Sequence, residues 1–441
     1  MKKFSLPFTI TWKRKDEKPN TGGPETEEGI AADEDVAGSA VLPDEEEEGQ
    51  EVITSGRDDR AFSLSGIDWQ GRGRLYLFIG AGALALIIAA FVLNYIQNRL
   101  PYRGVKVASD TEYISESGQQ YLTFAGKILK YSGAGVSLMN LEQETIWNHP
   151  VRFSAPTASM RGDYVVIWDK LGMEAAVFDK HGLIGTIKAE GPLIAADISE
   201  QGNTALVIDD GETAMVKYYT KNGGQIADIA ANAKETGYPV DVAVTGDGKM
   251  LAVSYVKGDE EGICTNLCFY EMKTGEQNGP VYTEHMEERI VPELFGSGRT
   301  IVAMEEDGFT SYRCGRSVTR VDKVTLDQNI QSVFYNGEFA GFIMRGTEGA
   351  RYRMELFRIN GRKECSFEFD LIYDTVTVDS ERILLYNGSE MALYNINGRK
   401  RFEGVISDGG VQYIYPTGRS RFLAIGNRES KIFVLKLLDT D

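Results

Sequence analysis

The sequence predicts an all-β protein, a seven- or eight-bladed β-propeller preceded by a disordered acidic tail and one transmembrane α-helix. Three observations lead to this prediction: a strand-and-turn unit that recurs along residues 103–441, an apolar stretch without charge at residues 75–96, and an excess of acidic residues before that stretch. We therefore expect three parts, namely a tail at residues 1–74, a membrane span at 75–96 and an extracytoplasmic propeller at 103–441.

The tail itself has two compositions. Residues 19–56 hold twelve acidic residues and no Lys or Arg. Such a segment buries too little apolar surface to offset the entropy of ordering, so we expect it to be disordered. The first eighteen residues carry six basic side chains, and their apolar residues alternate with the period of a β-strand. Three roles stay open for them: strand addition to a cytoplasmic partner's sheet, contact with the anionic inner leaflet, or no role.

The apolar stretch at residues 75–96 contains 22 residues and no charged side chain. As a helix it would be about 33 Å long, enough to cross a hydrocarbon core of about 30 Å. It follows a tail of 74 residues and is longer than the apolar core of a cleaved signal peptide. We therefore interpret it as an uncleaved signal anchor, with a buried helix or a long signal sequence as the alternatives.

Basic residues near the ends of the span predict its orientation. Four precede it and three follow it: Arg57, Arg60, Arg72 and Arg74 before, and Arg99, Arg103 and Lys106 after. Cytoplasmic flanks carry the larger number of basic residues, and long domains translocate largely regardless of their charge. We expect a single-pass protein of the cell membrane, in contact with the lipid bilayer, with the N-terminus in the cytoplasm and the C-terminal domain outside the cell. Only about six residues join the span to the first strand, so that domain is expected within about 20 Å of the bilayer.

The body repeats a short strand that follows a Gly-containing or polar turn. Eight such strands recur at spacings of 43, 41, 46, 50, 38, 44 and 39 residues, and we read each as the second strand of its unit: Tyr121, Tyr164, Ala205, Leu251, Ile301, Phe339, Ile383 and Phe422 are their first apolar residues. Two units share the turn INGRK, at residues 359–363 and 396–400. Asn-Gly between apolar runs predicts a tight hairpin, because both central residues tolerate a positive φ. Four short antiparallel strands in about 43 residues are typical of a β-propeller blade.

The two ends of the body predict how the ring closes. The last unit has three strands, near residues 411–415, 422–425 and 431–437, and is one strand short. A strand-like piece at residues 103–107 precedes the first unit. Because closure protects the edges of the sheets, we expect the three C-terminal strands and this N-terminal strand to form one blade. The count is eight units, or seven if a weak unit is not a blade.

Residues 241–255, DVAVTGDGKMLAVSY, contain the phrase Asp-Gly-Lys-x-Leu-Ala-Val, with Asp247 and Gly248 in the turn and residues 251–253 entering the core. In this phrase the chain resembles bacterial WD40-like and lactonase-type propellers. With its acidic tail, single span and repeats, it resembles an uncharacterised family, a domain of unknown function, of membrane-anchored propeller proteins from Gram-positive bacteria. The resemblance covers residues 103–441 at the level of the repeat, and one blade carries the phrase intact. It implies architecture and location, gives no catalytic residue, and leaves activity open.

No catalytic, cofactor-binding or metal-binding residue is predicted, and no cofactor is expected. The three histidines are expected in surface turns, too scattered for a zinc site or a His-based hydrolase: His149, His181 and His285. The acidic runs Asp209-Asp210 and residues 259–261 lack the spaced ligands of a calcium loop, so we expect exposed turns. The Trp168-Asp169 pair stands at the end of a second strand, one strand too early for the WD dipeptide of propellers.

The four cysteines all lie in the body, and we expect them to be buried free thiols: Cys264, Cys268, Cys314 and Cys365. On one strand, Cys264 and Cys268 would lie about 13 Å apart, too far for a disulfide. No phosphate-binding loop or dinucleotide fingerprint is present. The net charge of −18 argues against nucleic acid as a partner, because an acidic surface repels phosphates.

The leading functional hypothesis is a non-enzymatic binding or scaffolding module whose propeller face holds an envelope protein, peptide or glycan. The alternatives are a propeller enzyme of the quinoprotein, lactonase or lyase type, with its site in the central channel, and a transmembrane sensor. The fold alone does not separate them. Asp, Glu, Arg or His side chains that converge on the channel mouth would favour the enzyme, and an apolar or plugged channel would argue against it.

Overall fold

The structure is a computed structural model that describes residues 72–112, 118–209, 211, 214–230, 235–259, 262–273, 275–276, 279–347 and 349–437. The predicted tail, including its first eighteen residues and its acidic segment, lies outside the described residues up to residue 71. The chain divides into two compact units, of which one contains a single helix and the other begins at Leu100 and contains every strand.

The helix, α1 (Arg72–Arg99), contains the predicted apolar stretch and extends a few residues beyond both of its ends. Its segment Tyr76–Ile96 is long and apolar enough to cross a membrane, and its side chains are exposed on every face of the helix. In the last turn, the Arg99 guanidinium lies 4.9 Å from the ring centroid of Tyr95. Pro101 follows, and its ring and missing N–H prevent the helix from continuing.

The second unit consists of β-strands and short connections. In chain order the strands are β1 (Gly104–Glu112), β2 (Gln120–Phe124), β3 (Lys127–Tyr131), β4 (Gly135–Met139), β5 (Thr145–Pro150), β6 (Pro156–Arg161), β7 (Tyr164–Asp169), β8 (Glu174–Asp179), β9 (Gly182–Lys188), β10 (Leu193–Ile198), β11 (Thr204–Asp209), β12 (Ala214–Tyr219), β13 (Gln225–Ala230), β14 (Tyr238–Val244), β15 (Met250–Asp259), β16 (Gly262–Glu271), β17 (Gly275–Glu276), β18 (Tyr282–Glu287), β19 (Glu293–Ser297), β20 (Thr300–Glu305), β21 (Gly308–Cys314), β22 (Val318–Thr325), β23 (Ile330–Tyr335), β24 (Phe339–Arg345), β25 (Tyr352–Arg358), β26 (Lys363–Phe369), β27 (Thr375–Val378), β28 (Arg382–Tyr386), β29 (Glu390–Asn395), β30 (Lys400–Val405), β31 (Val411–Pro416), β32 (Arg421–Gly426) and β33 (Glu429–Lys436).

These strands form eight sheets, each with four antiparallel strands, which confirms a β-propeller of eight blades. Blades 1, 2 and 3 are β2–β5, β6–β9 and β10–β13; blade 4 is β14, β15, β16 and β18; blades 5, 6 and 7 are β19–β22, β23–β26 and β27–β30; blade 8 is β31, β32, β33 and β1. The short strand β17 adds in parallel to the outer edge of β13. First strands of neighbouring blades contact one another, as β10 does with β6 and β14, so they line the centre of the ring. The buried side chains lie mainly between neighbouring blades.

Blade 8 closes the ring as the sequence predicted. β1 is antiparallel to β33, with Gly104 opposite Lys436 and Val105 opposite Leu435, and it runs on to Glu112. The half-buried Val105 packs on an apolar cluster between blades 7 and 8 that includes Phe433. The strand therefore supplies backbone hydrogen bonds to an edge that would otherwise be unpaired, and it contributes a side chain to the core.

The antiparallel order gives the ring two rims. The connecting rim is formed by the loops that lead from the fourth strand of one blade to the first strand of the next, together with the turns between second and third strands. The terminal rim is formed by the turns between first and second strands and between third and fourth strands. β1 begins at the terminal rim at Gly104, and β33 ends there at Lys436.

The repeat prediction is wrong for blade 1. Tyr121 lies in β2, the first strand of blade 1, whereas the second strand has Ile128 as its first apolar residue. The turn between these strands is Ala125-Gly126, and both residues have positive φ values, 50° and 70°, as in a tight two-residue hairpin. The sequence before Tyr121 has a Gly-containing turn, at Gly118, like the turns before the other repeat strands. The turn between the first and second strands of blade 1 is instead Ala125-Gly126, a less common residue pair for a hairpin.

The INGRK hairpins are confirmed, although their turn type is different from the predicted one. Only the glycines have a positive φ, 84° at Gly361 and 78° at Gly398. The Gly361 N–H donates to the Arg358 carbonyl at 2.9 Å, and the strand register shifts beside Phe357. This is a longer hairpin loop that ends in a bulge, and its Gly supplies the left-handed residue.

We expect that aspartate at position 105 destabilises the closing blade by about 2 kcal/mol, because a carboxylate would be placed on the apolar cluster between blades 7 and 8. Val105→Asp is compared with Lys106→Asp on the exposed neighbour, which should change the free energy of unfolding by no more than about 0.5 kcal/mol. Urea unfolding followed by tryptophan fluorescence measures both. Equal effects of the two substitutions would contradict the packing role of β1.

Candidate functional site

The first strands of five successive blades bring ionisable side chains into the central channel. The residues, which we call the channel cluster, come from blades 2 to 6: Arg161 ends β6, Asp197 lies in β10, Asp241 in β14, Glu293 begins β19 and Tyr335 ends β23. The rest of these strands is largely apolar and packs between the blades. The ring geometry therefore collects residues that are far apart in sequence.

Arg161 and Asp197 form a buried ion pair that joins three blades. Arg161 Nη2 lies 3.0 Å from Asp197 Oδ2, and Nη1 donates to the carbonyl oxygen of Val244 in blade 4. Asp197 also accepts from the Ser159 hydroxyl and from the Val244 N–H, both at 2.8 Å. With these bonds both side chains are occupied, so this pair, the clasp, is best explained as a structural connection between first strands.

Gly296 extends the close packing at the clasp to blade 5. A Cβ atom at this position would collide with the Val244 carbonyl oxygen and with Arg161 Nη1. The backbones of blades 4 and 5 therefore approach closely only because residue 296 has no side chain. The residue is required here for space, since no unusual φ is involved.

Asp241 and Glu293 form a second group, which has fewer partners. Asp241 Oδ2 accepts from the Leu294 N–H at 2.7 Å. Burial raises the pKa of the Asp241 carboxyl well above its usual range, the nearby charge of Glu293 raises that pKa further, and the Leu294 N–H opposes the change. Burial likewise raises the pKa of Glu293 to about 7, against the attraction of Lys170 and a hydrogen bond with Tyr335.

This carboxyl pair gives the channel a chemistry of its own. Both side chains keep partial exposure although the ring surrounds them. Two carboxyls with raised pKa values in one cleft are able to hold and release a proton near neutral pH, which is the property of a general acid or base. Among the described residues, no group of three or more His, Cys, Asp or Glu side chains is placed to hold a metal ion.

A groove of about 940 Å³ separates blades 1 and 2 and opens on the connecting rim. The turn at Gly133 and Ala134, the end of β5 and the connection to blade 2 form one wall. The face of blade 2 forms the other, with Glu174, Ala176, Thr186 and Lys188 side by side across β8 and β9.

Exposed large apolar side chains concentrate on the connecting rim. Among the described residues of the ring, six lie in its loops or at the strand ends beside them: Leu171, Met173, Tyr238, Ile263, Ile372 and Val405. Five lie at or beside the terminal rim: Leu183, Val281, Ile146, Met160 and Leu100 in the link before β1. The two rims differ in the six side chains that are at least half exposed: five of them lie on the connecting rim, namely Leu171, Met173, Ile263, Ile372 and Val405, and Val281 lies on the terminal rim. The most exposed is Leu171, at 73% in a turn with φ of 65°. Leu171 and Met173 lie in one turn and together form an exposed apolar patch, the kind of surface that contact with a partner would cover.

The structure places the histidines and cysteines that the sequence singled out away from the channel. His181 lies in an exposed turn, whereas His149 and His285 lie on the outer strands β5 and β18 and not in turns. Cys268, Cys314 and Cys365 are buried and Cys264 is partly exposed, all four as free thiols. Residues 210 and 260–261 of the two acidic runs are outside the described part of the chain.

The Trp168-Asp169 pair ends the second strand of blade 2, where the sequence placed it. Asp169 Oδ1 accepts from the N–H groups of Ser154 and Ala155, at 2.8 and 2.7 Å. The carboxylate thereby fixes the connection between blades 1 and 2, which is a structural role. The phrase at residues 241–255 is also as expected: Asp247 and Gly248 make the turn, and residues 251–253 are fully buried.

Sequence reasoning missed the channel cluster. Its signal was present, because Asp197, Asp241 and Glu293 are single acidic residues inside short apolar runs that precede the repeat turns. Asp241 even begins the phrase that carries the family resemblance. A charged residue in a run that is otherwise buried points either to a structural ion pair or to a site, and here the ring contains one of each.

Comparisons with known proteins confirm the resemblance to uncharacterised propellers. The profile of DUF5711, a family of unknown function, matches residues 97–435. No curated protein matches the chain. Among solved structures, the chain is similar to BamB from Moraxella catarrhalis, with 13% identity, a TM-score of 0.47, and coverage of 77% of this chain and 100% of that one.

Two further solved structures are similar in the same way. For Hsv2 from Kluyveromyces lactis, identity is 10%, the TM-score is 0.41, and 65% of this chain and 94% of that one are covered. For Sqt1 from Chaetomium thermophilum, the values are 12% identity, a TM-score of 0.45, and coverage of 75% and 98%. At these identities no residue role passes from those proteins to this chain.

Replacing Arg161 by methionine should lower the free energy of unfolding by about 3–5 kcal/mol, because Asp197 would stay buried without its cation. The matched control is Lys188→Met, which removes an exposed cation 3.8 Å from Glu174 and should change stability by no more than about 0.5 kcal/mol. Chemical unfolding at pH 7 measures both variants. A loss from Arg161→Met no larger than the control's would show that the clasp does not hold the blades.

Glu293 should make the ring less stable as the pH rises from about 5 to 8. The pKa of this carboxyl is about 4.5 in the unfolded chain and about 7 in the folded one. Between these values the folded state keeps a proton on Glu293 that the unfolded state has lost, so raising the pH lowers the free energy of unfolding until the folded carboxyl has also lost its proton. We expect the free energy of unfolding to fall across this window by on the order of 2 kcal/mol more in the wild type than in Glu293→Gln.

The control for this pH dependence is Glu174→Gln, which changes an exposed carboxyl and should leave the slope as in the wild type. Urea unfolding at half-unit pH steps measures the three proteins. A wild-type slope that Glu293→Gln does not reduce would assign the pH dependence to other groups.

Proposed function

The chain belongs to DUF5711, a family of unknown function, and we propose that it is a membrane-anchored binding module that holds a protein, peptide or glycan of the cell envelope on the connecting rim. The observation that carries this proposal is the unequal distribution of large apolar side chains that are at least half exposed, five on the connecting rim against one, Val281, at the terminal rim. Side chains such as Leu171 and Ile372 contribute nothing to the core, and contact with a partner would remove them from water.

The proposal includes an anchor and a topology. In it, residues 1–74 form a cytoplasmic tail, residues 75–96 span the cell membrane and residues 103–441 form the extracytoplasmic propeller. The support is the apolar segment Tyr76–Ile96 and the small excess of basic residues before it. A cytoplasmic partner for the tail is part of the same proposal, and nucleic acid is not, given the charge of −18.

A second candidate function, catalysis in the channel, is favoured by the carboxyl pair of Asp241 and Glu293. The convergence of Asp, Glu and Arg on the channel is the arrangement that the enzyme hypothesis requires. In this candidate Glu293, with its pKa of about 7, would act as general acid or base on a lactone or a sugar. Turnover that falls by about a hundredfold or more in Glu293→Gln, with rim contacts unchanged, would favour it over binding alone.

The binding proposal is tested by attaching a membrane-impermeant maleimide photo-crosslinker to Leu171→Cys on intact cells. We expect labelling without permeabilisation and a covalent adduct with an envelope component after illumination. The matched control, Leu183→Cys on the terminal rim, should be labelled without forming that adduct. Labelling of the wild type, where Cys264 is partly exposed, gives the background.

Two results of this experiment would contradict the proposal. Labelling of Leu171→Cys only after permeabilisation would show that the domain is not outside the cell. Equal adducts from both rims would show that the apolar side chains of the connecting rim do not select a partner.

A further inference from the structure

We propose that the groove between blades 1 and 2 is the specificity pocket of the connecting rim, and that it takes an acidic segment of a partner protein in which apolar residues alternate with carboxylates. This inference rests on the proposed function, because it assigns a position and a chemistry to the partner.

The shape of the groove suits an extended chain. Its volume is about 940 Å³, and it runs between the connection from β5 to β6 and the open face of β8 and β9. The floor and walls contain small or apolar groups that leave room for a backbone, among them Gly133, Ala176 and Phe153. It opens at the rim where the exposed apolar residues lie, because both the β5–β6 connection and the start of β8 belong to that rim.

The charges of the groove select an acidic occupant. Two cations line it, Arg152 and Lys188, against one carboxylate, Glu174. Arg152 is exposed, and its side chain has no ion pair among the described residues, while Lys188 is held only loosely, 3.8 Å from Glu174. A free guanidinium binds a carboxylate through two parallel hydrogen bonds.

The surroundings of the groove make these cations distinctive. Residues 120–287, which form blades 1 to 4, have 13 basic and 23 acidic residues. An acidic partner would be repelled by most of this half of the ring and attracted at the groove, so the charge pattern fixes where it docks. A basic partner would bind almost anywhere on the same half and gain nothing from the groove.

Exposed apolar side chains at the edge of the groove, its lip, would contact the apolar residues of the partner segment. Met173, which is 52% exposed, directly precedes Glu174 in the wall, and Leu171 lies in the same turn. The turn is held in place, because the Met173 carbonyl accepts from the Ala189 N–H and the Leu171 N–H donates to Leu193, both at 2.8 Å. Because alternate side chains of an extended segment point in opposite directions, carboxylates would face Arg152 while apolar side chains cover this lip.

The test uses the full chain in nanodiscs of phosphatidylcholine and two fluorescein-labelled probes of eight residues, one alternating glutamate with leucine and one alternating lysine with leucine. Fluorescence anisotropy should give a Kd at least about tenfold lower for the glutamate probe. Arg152→Glu should raise that Kd by about tenfold or more. The matched control is Lys180→Glu, which reverses an exposed charge on the terminal rim of the same blade and should change the Kd by less than about twofold.

Three outcomes would overturn the inference: equal affinity for the two probes, an equal effect of Arg152→Glu and Lys180→Glu, or an Arg152-dependent binding to phosphatidylglycerol vesicles without preference between the probes. The last would identify the groove as a lipid contact. If the crosslinker at position 171 captures an envelope partner whose adduct is unchanged in Arg152→Glu, the connecting rim binds a partner and the groove does not select it. The two proposals therefore fail separately.

Discussion

The ring depends on the pairing of β1 with β33, because this pairing joins the two ends of the body in one blade and closes the ring. In this chain the closing strand is N-terminal and its three partners are C-terminal, so the ends of the body hold each other. The remaining seven blades form from local hairpins, and each buries one face against the next. Closure turns these local units into one cooperative domain, since removing β1 would leave β33 without a partner and would uncover part of the apolar cluster between blades 7 and 8.

Closure also sets what happens at the centre. Eight first strands are brought side by side, and any polar side chain they carry must find a partner or contact the channel water. The clasp of Arg161 and Asp197 is the first solution: its ion pair and its hydrogen bonds to the Val244 backbone tie blades 2, 3 and 4 together. Asp241 and Glu293 show a second solution. They form no ion pair with Arg161; burial and the charge of the neighbouring carboxyl favour a protonated carboxyl instead.

The sequence predicted the parts of the fold that are determined locally. A glycine turn followed by an apolar strand forms within a few residues, so seven of the eight repeat positions lie in the second strands where they were expected. Blade 1 was misaligned because the Ala125-Gly126 turn is as short as a turn can be, while the Gly118 turn resembles the repeat. The closing blade was predictable because one end lacked a strand and the other end supplied one.

The channel cluster and the groove were not predictable for the opposite reason, because both arise between blades. Asp197, Asp241 and Glu293 lie on the innermost strands, and the sequence does not show which side chains of an inner strand meet at the channel and which pack against a neighbouring blade. The groove depends on the angle between blades 1 and 2 and on the side chains that happen to be small there. Residue 152 is not part of the repeat pattern. That Arg152 is a cation in an acidic half of the ring becomes meaningful only once its neighbours in space are known.

The two sites make different demands on the same ring, and this separates their possible roles. Asp241 lies on a first strand that the clasp ties to blades 2 and 3, and Glu293 lies on the next first strand, so a molecule that reaches the pair must be small enough to enter the channel. The groove and the apolar residues of the connecting rim lie on turns and on strand faces that can accept a macromolecule without any change in the ring. Because backbone hydrogen bonds to Leu193 and Ala189 already hold the turn of Leu171 and Met173, a partner would meet a preformed surface there, and little of its binding free energy would be spent on ordering that turn.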